Sequence, residues 1–437
     1  MCIRDSPRTL LPAALLALAP ACNEPAPPDL NVLLLTVDTL RADHLEPYGY
    51  GRPTSPGLDA FAETARVFDR AQATSSWTLP GLASLFTGHY TSTHGCWRFD
   101  SRLDDSFHTL AEILRDAGYD TAAVASHVFL GTDYGLHQGF VHYDEDLVHS
   151  VAASHRAISS PAVTEKGLRF LEHKAAMAAE GPWFLWLHYF DPHDVYQAHE
   201  GYAETFGAER DVDLYDGEIA FTDAHLARVL EAVDRLGLAD DTLVVFTADH
   251  GEEFGDHGGE KHGHTLYREL VRVPLLIRAP GFPPGRSDSL VSGVDLLPTV
   301  LELAGLRPPL PVVGRSLVPE LRGEDPGEGA VLAELRLQPE QQLEGVLQGD
   351  WKLIVDRRGD ERSLYDLGAD PGETRDLLAE EAEVAAGLER VLEALLESAR
   401  SAAGAYSSPG SLSLLPGDAD RLSDLGYGEG GAPEGAR

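Results

Sequence analysis

The sequence is short of cysteine, of lysine and of long apolar runs, and each shortage excludes a class of protein. The three cysteines, Cys2, Cys22 and Cys96, are too few for a disulfide framework and have no metal-ligand spacing. Basic residues number 34 against 71 acidic ones, which gives a formal net charge of −37. Because nucleic-acid binding needs a basic surface that neutralises phosphates, this composition argues against it. No apolar run reaches the ~20 residues of a membrane-spanning helix.

What the chain does contain is sufficient for a large folded domain. Its 437 residues are 43% hydrophobic, which is typical of a packed globular protein. That length accommodates one large α/β domain and a smaller C-terminal unit.

The N-terminal segment is typical of an exported protein. A short apolar run, Leu10–Ala21, ends in small residues and directly precedes Cys22. Cys22 and the Pro-rich segment after it, Asn23–Pro28, resemble a bacterial lipoprotein cleavage site and its tether. We therefore predict a signal peptide and tether over residues 1–28, and a periplasmic or cell-surface protein with a lipid anchor on Cys22. Plain secretion without the lipid is the alternative.

Buried strands alternate with amphipathic helices along the chain, which predicts a mostly parallel sheet covered by helices on both faces. Ligands of such sheets bind beyond the carboxyl ends of the strands. Asp38, His188 and Asp249 lie at or just past strand ends, so the pattern places them on one edge. The predicted strands are Asn31–Val37, Thr121–Ala125, Trp183–His188, Leu243–Thr247 and Val273–Ile277, and the predicted helices are Thr109–Ala117, Val163–Ala179, Ile219–Leu236 and Val294–Ala304.

The C-terminal part has the pattern of a small α+β subdomain. A Pro- and Gly-rich connection over 307–327 is followed by a hairpin at Gly345–Ile354 and a helix at Glu380–Ala399. We predict a catalytic domain over 29–325, the subdomain over 326–400 and a loosely ordered tail over 401–437.

Two carboxylates and an imidazole at predicted strand ends are a candidate metal site. Asp38 follows the first strand, and Asp249 and His250 follow a later one. These ligand types favour zinc or manganese, and the carboxylate pair would also accept calcium or magnesium. A divalent ion there would act as a Lewis acid and would help to deprotonate a hydroxyl nucleophile.

Thr78 begins the run Thr78–Gly88, which together with Val37-Asp38 and Ala248–Glu252 resembles the sulfatase branch of the alkaline phosphatase superfamily. The resemblance covers roughly residues 30 to 380 and implies an alkaline-phosphatase-like fold. It also implies that Thr78 is the nucleophile and that Asp38, Thr78, Asp249 and His250 hold the metal. Taken alone, Thr78 is more simply explained as a helix N-cap, and the surrounding motifs favour the nucleophile.

Three departures from the sulfatase pattern point towards phosphorus instead of sulfur. Sulfatases have Cys or Ser at position 78, and Thr cannot be oxidised to their formylglycine. Leu82 replaces an arginine, and the segment Ala125–Gly131 lacks the lysine of the family motif. In its metal-bound Thr, the chain resembles nucleotide-pyrophosphatase-type phosphodiesterases and phosphoethanolamine transferases more closely.

The resemblance also assigns roles to two histidines, His193 and His262. They would either hold a second metal or donate protons to the leaving group and bind oxygens of the transferred group, and we favour the second role. Three further histidines, His188, His257 and His264, are more simply explained as packing or capping residues.

Three more positions near these motifs have open or structural roles. Glu252 is either a partner that orients a ligand histidine or a solvated charge. Arg41 is expected to pair with Asp43 instead of contacting substrate. Thr39 occupies the place of a second metal-binding Asp of typical sulfatases.

We therefore predict a metal-dependent hydrolase that cleaves phosphodiester or phosphonate esters through Thr78. The alternatives are a sulfuric ester hydrolase and a non-catalytic binding protein on the same fold, and transfer to an acceptor alcohol would compete with hydrolysis. Expected substrates are small-molecule, glycan or lipid esters. Contact with a membrane is expected only through the N-terminal lipid.

Overall fold

The computed structural model describes residues 30–153, 158–177, 181–325, 327, 329–408 and 410–412. The predicted signal peptide and tether, the lipid anchor at Cys22 and the tail beyond residue 412 lie outside these ranges. Export therefore stays a prediction. Among the described helices, none combines the length and the apolar character that crossing a membrane requires.

Helices and strands alternate through most of the chain. The strands are β1 (Asn31–Val37), β2 (Arg66–Gln72), β3 (Ser101–Arg102), β4 (Asp120–Val124), β5 (His142–Asp144), β6 (Trp183–Tyr189), β7 (Thr242–Ala248), β8 (Glu253–Phe254), β9 (Glu260–Lys261), β10 (Leu275–Arg278), β11 (Gly285–Ser292), β12 (Ala330–Leu335), β13 (Leu343–Gln348), β14 (Trp351–Asp356), β15 (Glu361–Asp366) and β16 (Gly410–Ser411). The α-helices are α1 (Pro56–Ala62), α2 (Thr78–Thr87), α3 (Thr91–His94), α4 (Leu110–Asp116), α5 (Asp146–Ala153), α6 (Ser160–Ala176), α7 (Ala203–Phe206), α8 (Asp211–Arg235), α9 (Arg268–Val271), α10 (Leu296–Leu303), α11 (Val318–Leu321) and α12 (Ala382–Ala403).

An eight-stranded sheet forms the centre, in the order β11-β2-β10-β7-β1-β6-β4-β5. β1 pairs in parallel with both β6 and β7, and β6 pairs in parallel with β4. The central strands β6 and β7 are buried along their whole length, as their continuous apolar sequences predict. The predicted mostly parallel sheet flanked by helices is confirmed.

Two features of this sheet differ from the sequence prediction. β10 was expected among the parallel strands, but it runs antiparallel to both β2 and β7. β2 and β11 were not predicted at all, and they pair in parallel at one end of the sheet. Both carry charged residues along much of their length, which is usual near a sheet edge, where one side of a strand faces solvent.

The C-terminal subdomain is an antiparallel sheet, β12-β13-β14-β15, covered by α12. The predicted hairpin is β13–β14, and the predicted helix is α12. Leu388, Leu392 and Leu396, which lie on one stripe of α12, are buried against residues of this sheet. The predicted small α+β subdomain is confirmed as an element of the fold, whereas its exact limits stay a prediction.

The described part of the predicted tail makes contacts that the sequence did not indicate. The ring of Tyr406 stacks on Phe107 at a centroid distance of 4.0 Å, and β16 pairs with β3. The subdomain also contacts the helices near the strand ends, because the hydroxyl of Thr93 in α3 donates to the carbonyl oxygen of Ala399 at 2.9 Å.

Candidate active site

The carboxyl ends of three adjacent strands, β7, β1 and β6, bring the predicted site residues together. Asp38 follows β1, and Asp249 and His250 follow β7, where Val37 and Ala248 are register partners. His188 is the penultimate residue of β6, opposite Thr36 of β1. Because the three strands run in the same direction, these side chains meet at one edge of the sheet, as predicted.

Thr78 is the first residue of α2, and its hydroxyl faces His250, one of the candidate metal ligands. Its Oγ1 lies 3.3 Å from Nε2 of His250, and the side chain is fully buried. The N-cap position of α2 is occupied by Trp77. The alternative explanation of Thr78 as the helix cap is therefore not supported by the structure.

Two glycines allow α2 and the segment after β7 to approach each other closely. A Cβ at Gly81 would lie 2.8 Å from the carbonyl oxygen of Asp249, and one at Gly251 would lie 2.0 Å from the carbonyl oxygen of Glu269. Any larger residue would have to displace backbone at these positions. The site geometry thus depends on glycines that the sequence motifs contain but whose role periodicity does not reveal.

Asp38, Asp249 and His250 form a convergent, buried group of potential metal ligands. One ligand atom from each lies within 4.8 Å of the other two. Nε2 of His250 is 3.5 Å from Oδ1 of Asp38 and 3.5 Å from Oδ2 of Asp249. These three side chains and the Thr78 hydroxyl thus face one small volume.

Hydrogen bonds on the outer side of this group hold its ligand atoms in place. Nδ1–H of His250 donates to the carbonyl oxygen of Gly251 at 2.9 Å, so the lone pair is on Nε2. Oδ1 of Asp249 accepts from the amides of His250 at 2.9 Å and Thr39 at 3.3 Å, whereas its Oδ2 has no hydrogen-bond donor in the described chain. Thr39 has φ of 52°, a strained conformation for a β-branched residue, and this turn aims its amide at Asp249.

The two carboxyl groups of this cluster, those of Asp38 and Asp249, need a neighbouring cation to stay ionised. Burial, followed by repulsion from Asp249 and Glu252, raises the pKa of Asp38 well above its ordinary value. Thr39 and Thr78 partly oppose this rise, although neither is aligned as a hydrogen-bond donor to the Asp38 carboxylate. Burial also raises the pKa of Asp249. Two adjacent buried carboxylates with unpaired oxygens are stable as anions only next to positive charge, and a divalent ion fits this requirement.

The rings of His262 and His193 lie close to His250. The ring centroid of His262 is 4.7 Å from that of His250 and 4.8 Å from that of His193. Nδ1–H of His193 donates to the carbonyl oxygen of Asp194 at 2.6 Å, and Nδ1–H of His262 donates to Oε1 of Glu252 at 2.9 Å. With Glu252 ionised, the lone pair of each neutral ring is therefore on Nε2.

The protonation states of this pair are set mainly by burial. Burial and the neighbouring His262 lower the pKa of His193 to about 3, and burial lowers that of His262 well below its ordinary value. Burial raises the pKa of Glu252 to about 7. Glu252 is fully buried and bonded to His262, so it is a partner of a site histidine and not a solvated charge.

Three residues near the sequence motifs, His257, His264 and Arg41, form ion pairs outside the candidate metal group. His257 bonds to Glu269 at 2.6 Å and His264 bonds to Glu253 at 2.7 Å, so both serve structural networks, as predicted. Arg41 pairs with Asp43 as predicted, and also with Asp256, which the sequence did not indicate.

Two histidines to which the sequence analysis gave no catalytic or metal role lie beside Asp38. Nε2 of His188 is 3.7 Å and Nε2 of His127 is 3.9 Å from Oδ2 of Asp38. His188 had been explained as a packing residue, and His127 appeared only within the segment that lacks the family lysine. A polar residue inside a continuous apolar strand was the signal that could have identified His188.

Comparison with known proteins identifies the family of this fold and site. A family model described as sulfatase matches residues 30–306. The chain belongs to the sulfatase family. A second model, described as N-sulphoglucosamine sulphohydrolase, C-terminal, matches residues 255–400.

Individual relatives of this sulfatase-family chain include sulfatases and a phosphonate hydrolase. N-acetylglucosamine-6-O-sulfatase of Bacteroides thetaiotaomicron is 23% identical over 497 residues, covering 86% of this chain and 88% of the relative. Arylsulfatase A of Homo sapiens is 28% identical over 470 residues, covering 89% and 90%. The solved structure of phosphonate monoester hydrolase of Agrobacterium radiobacter has a TM-score of 0.71 at 23% identity, covering 85% of this chain and 96% of that one.

These findings confirm the predicted superfamily and the alkaline-phosphatase-like fold. They also confirm the prediction of a hydrolase that acts on sulfuric or phosphoric esters. The superfamily uses a divalent metal, and the convergent group around His250 is a possible site for it.

Proposed function

We propose that this chain is a metal-dependent hydrolase that cleaves phosphodiester or phosphonate esters with Thr78 as the nucleophile. One observation carries the proposal. The Thr78 hydroxyl, fully buried at the first position of α2, faces Nε2 of His250 at 3.3 Å within the group that Asp38 and Asp249 complete.

A threonine hydroxyl needs activation before it can attack an ester. A divalent ion held by Asp38, Asp249, His250 and Thr78 would stabilise negative charge on the transferred group and favour deprotonation of the hydroxyl. The start of α2, a ten-residue helix, places backbone N–H groups near the same point, which favours an anionic group there.

The choice of phosphorus over sulfur follows from the residue at position 78 and its neighbours. Threonine does not yield formylglycine, and Leu82, at the place of the family arginine, is fully buried. The nearby cation Arg41 is held by two carboxylates. The likeness to a phosphonate monoester hydrolase agrees with this reading but rests on the fold alone.

The separations between ligand atoms support zinc, with manganese as the second candidate. Around Nε2 of His250 the separations are 3.3 to 3.5 Å. A tetrahedral site with bonds of ~2.1 Å has edges of about 3.4 Å. Octahedral magnesium, with bonds of ~2.1 Å, has edges of about 3.0 Å, and calcium prefers oxygen ligands to a histidine nitrogen.

His193 and His262 are proposed to carry protons and to bind oxygens of the transferred group. Both are neutral with a lone pair on Nε2, so each can take up a proton when an anionic substrate arrives and then give it to the leaving oxygen. The carboxylate of Glu252 would stabilise the resulting imidazolium of His262.

Sulfuric ester hydrolysis is the second candidate, because both curated relatives described above are sulfatases. A side-by-side turnover assay on an aryl phosphodiester, an aryl phosphonate monoester and an aryl sulfate separates the two candidates. The metal-loaded wild type is compared with Thr78→Val, which removes the hydroxyl at nearly constant volume, and with Thr78→Ser, which retains a hydroxyl.

The proposal expects the phosphorus esters to turn over faster, with loss of activity in Thr78→Val and partial retention in Thr78→Ser. Acid quenching during turnover should trap a phosphoryl group on Thr78, detectable by peptide mass spectrometry. Faster sulfate cleavage would establish the second candidate instead. Unchanged diester turnover in Thr78→Val would remove Thr78 from the mechanism.

A further inference from the structure

The two carboxylate oxygens of Asp38 face different groups. Oδ1 is 3.5 Å from Nε2 of His250, within the convergent ligand group. Oδ2 is 3.7 Å from Nε2 of His188, which does not belong to that group. Both side chains are fully buried. Oδ2 of Asp38 and Nε2 of His188 have no hydrogen-bond partner among the described residues.

The hydrogen bonds of Ser126 fix the tautomer of His188. The Ser126 hydroxyl donates its single proton to the carbonyl oxygen of His188 at 2.5 Å. Its Oγ is also 3.1 Å from Nδ1 of His188, and it can only accept there. Nδ1 of His188 therefore carries the ring proton, and the lone pair is on Nε2, towards Asp38.

His127, the other ring beside Oδ2, has the opposite tautomer. Its Nδ1 accepts the amide proton of Phe129 at 3.1 Å, so its neutral ring carries the proton on Nε2. A protonated Nε2 is not a metal ligand, and at 3.9 Å from Oδ2 it is too distant to satisfy that oxygen. His188 is therefore the nitrogen that presents a lone pair to this side of Asp38.

Two lone pairs that face each other across 3.7 Å in a fully buried space are unfavourable without positive charge between them. A carboxylate oxygen and an imidazole nitrogen are typical ligands of zinc and manganese. The separation also suits one ion with bonds of ~2.1 Å to each atom at an angle of roughly 120°. We propose that Asp38 bridges two divalent cations, one held with Asp249, His250 and Thr78, and a second held by His188.

The outer hydrogen bonds make Ser126 a positioning residue for the second ion. It lies just past the end of β4, and its bonds to His188 cross to the neighbouring strand β6. Loss of such a partner typically weakens metal affinity by ~10–100-fold. Ser126→Ala should therefore weaken the second ion selectively, because within the described part of the chain the Ser126 hydroxyl bonds to His188 and not to Asp249 or His250.

Metal counting tests this proposal without any substrate. Chelator-stripped protein is titrated with Zn²⁺ by equilibrium dialysis, desalted, and analysed for tightly held zinc by mass spectrometry. We expect two equivalents in the wild type and one in His188→Ala, and a second-site affinity reduced ~10–100-fold in Ser126→Ala. Titration with Co²⁺ should show visible absorption from the second equivalent that His188→Ala lacks.

His94→Ala is the matched control. His94 is also fully buried, but the amide of Cys96 and the hydroxyl of Ser84 occupy both of its ring nitrogens. It should keep two equivalents, which separates loss of a ligand from loss of a buried imidazole. Circular dichroism verifies the fold of each variant. Where His188→Ala does not fold, the second-site affinity of Ser126→Ala decides whether the second ion lies at His188.

A single equivalent in the saturated wild type would overturn the proposal and would mean that Asp38 and His188 share a proton or a water. Two equivalents in folded His188→Ala, or unchanged affinities in Ser126→Ala, would overturn it as well. Because the count does not depend on which ester is cleaved, its failure is distinct from failure of the proposed phosphoryl chemistry.

Discussion

Gly81→Ala tests whether close docking of α2 on Asp249 sets the active-site geometry. A Cβ at Gly81 would lie 2.8 Å from the carbonyl oxygen of Asp249, whereas ordinary contact begins at 3.4 Å. The new Cβ is fixed to the backbone of α2, and the oxygen belongs to the backbone of Asp249, so neither atom can rotate away. The helix α2 and the segment after β7 must therefore separate by about 0.6 Å. Thr78, three residues earlier on α2, would then move away from the group to which Asp249 and His250 belong.

The expected loss of activity follows from that displacement. Metal–ligand distances tolerate only about 0.2 Å, and a misplacement of about 1 Å can cost about 100-fold in rate. We expect kcat/KM to fall about 10- to 100-fold and zinc affinity to weaken. Stability should fall by on the order of 1–2 kcal/mol, because overpacking outweighs the gain of ~0.5–1 kcal/mol that Ala brings to a helix.

Gly387→Ala in α12 is the control, because its nearest potential contact is a side-chain atom 3.9 Å away. It should be neutral or stabilising and should leave kcat/KM unchanged. Steady-state kinetics, zinc titration and urea unfolding on the three proteins give the comparison. If Gly81→Ala is as active and as stable as Gly387→Ala, the docking argument is refuted.

Three further predictions concern stability. The raised pKa values of Asp38 and Glu252 mean that these two carboxyls bind more protons in the metal-free folded protein than in the unfolded chain, so their contribution to stability should fall as pH rises from about 4.5 to 7, by up to ~1.4 kcal/mol per group and pH unit. The lowered pKa values of His193 and His262 make the contribution of these histidines rise over the same range, so the carboxyl part is read from thermal melts as the difference between the wild type and Glu252→Gln. Lys352→Met leaves the buried carboxylate of Glu373 without its partner at 2.6 Å and should cost ~3–5 kcal/mol in urea unfolding. Leu392→Ala opens a cavity under α12 and should cost ~2–5 kcal/mol in the same assay.

Each of these has its own control. Relative to Glu252→Gln, the metal-free wild type should lose stability as pH rises from about 4.5 to 7, and a Tm difference between the two proteins that does not change with pH would contradict the argument. Adding Glu373→Gln to Lys352→Met should recover part of the loss, and an additive double variant would mean that the pair does not interact. Glu397→Ala, on the exposed face of α12, should change stability by less than ~0.5 kcal/mol, and an equal loss there would exclude the cavity as the cause.

The parallel core of the fold could be predicted from the sequence because its strands are buried on both faces. Continuous apolar runs such as Trp183–His188 and Leu243–Thr247 are too short for a buried helix and have the length of a buried strand. The direction of β10 could not be predicted in this way, because an apolar run looks the same in either orientation. β2 and β11 escaped prediction because their charged residues break both the alternation and the continuity of apolar positions.

The candidate site was predictable as far as motifs follow strand ends. Asp38, Asp249 and His250 meet as the strand pattern indicates. The place of His188 depends on Ser126, which lies 62 residues away and reaches it only because β4 and β6 are neighbours. Tautomers that are set by single hydrogen bonds between distant segments cannot be predicted from local sequence.

The assembly of the site from distant segments has a consequence for folding. Thr78 and His250 are 172 residues apart in the chain, and Thr39 and Asp249 are 210 apart. No short fragment contains the candidate ligand set, so an ion held by it would reach full affinity only after β1 and β7 have paired. Contacts of such long sequence separation form slowly. Uptake of the proposed zinc ion during refolding would therefore measure the fraction of chains that have completed the central sheet.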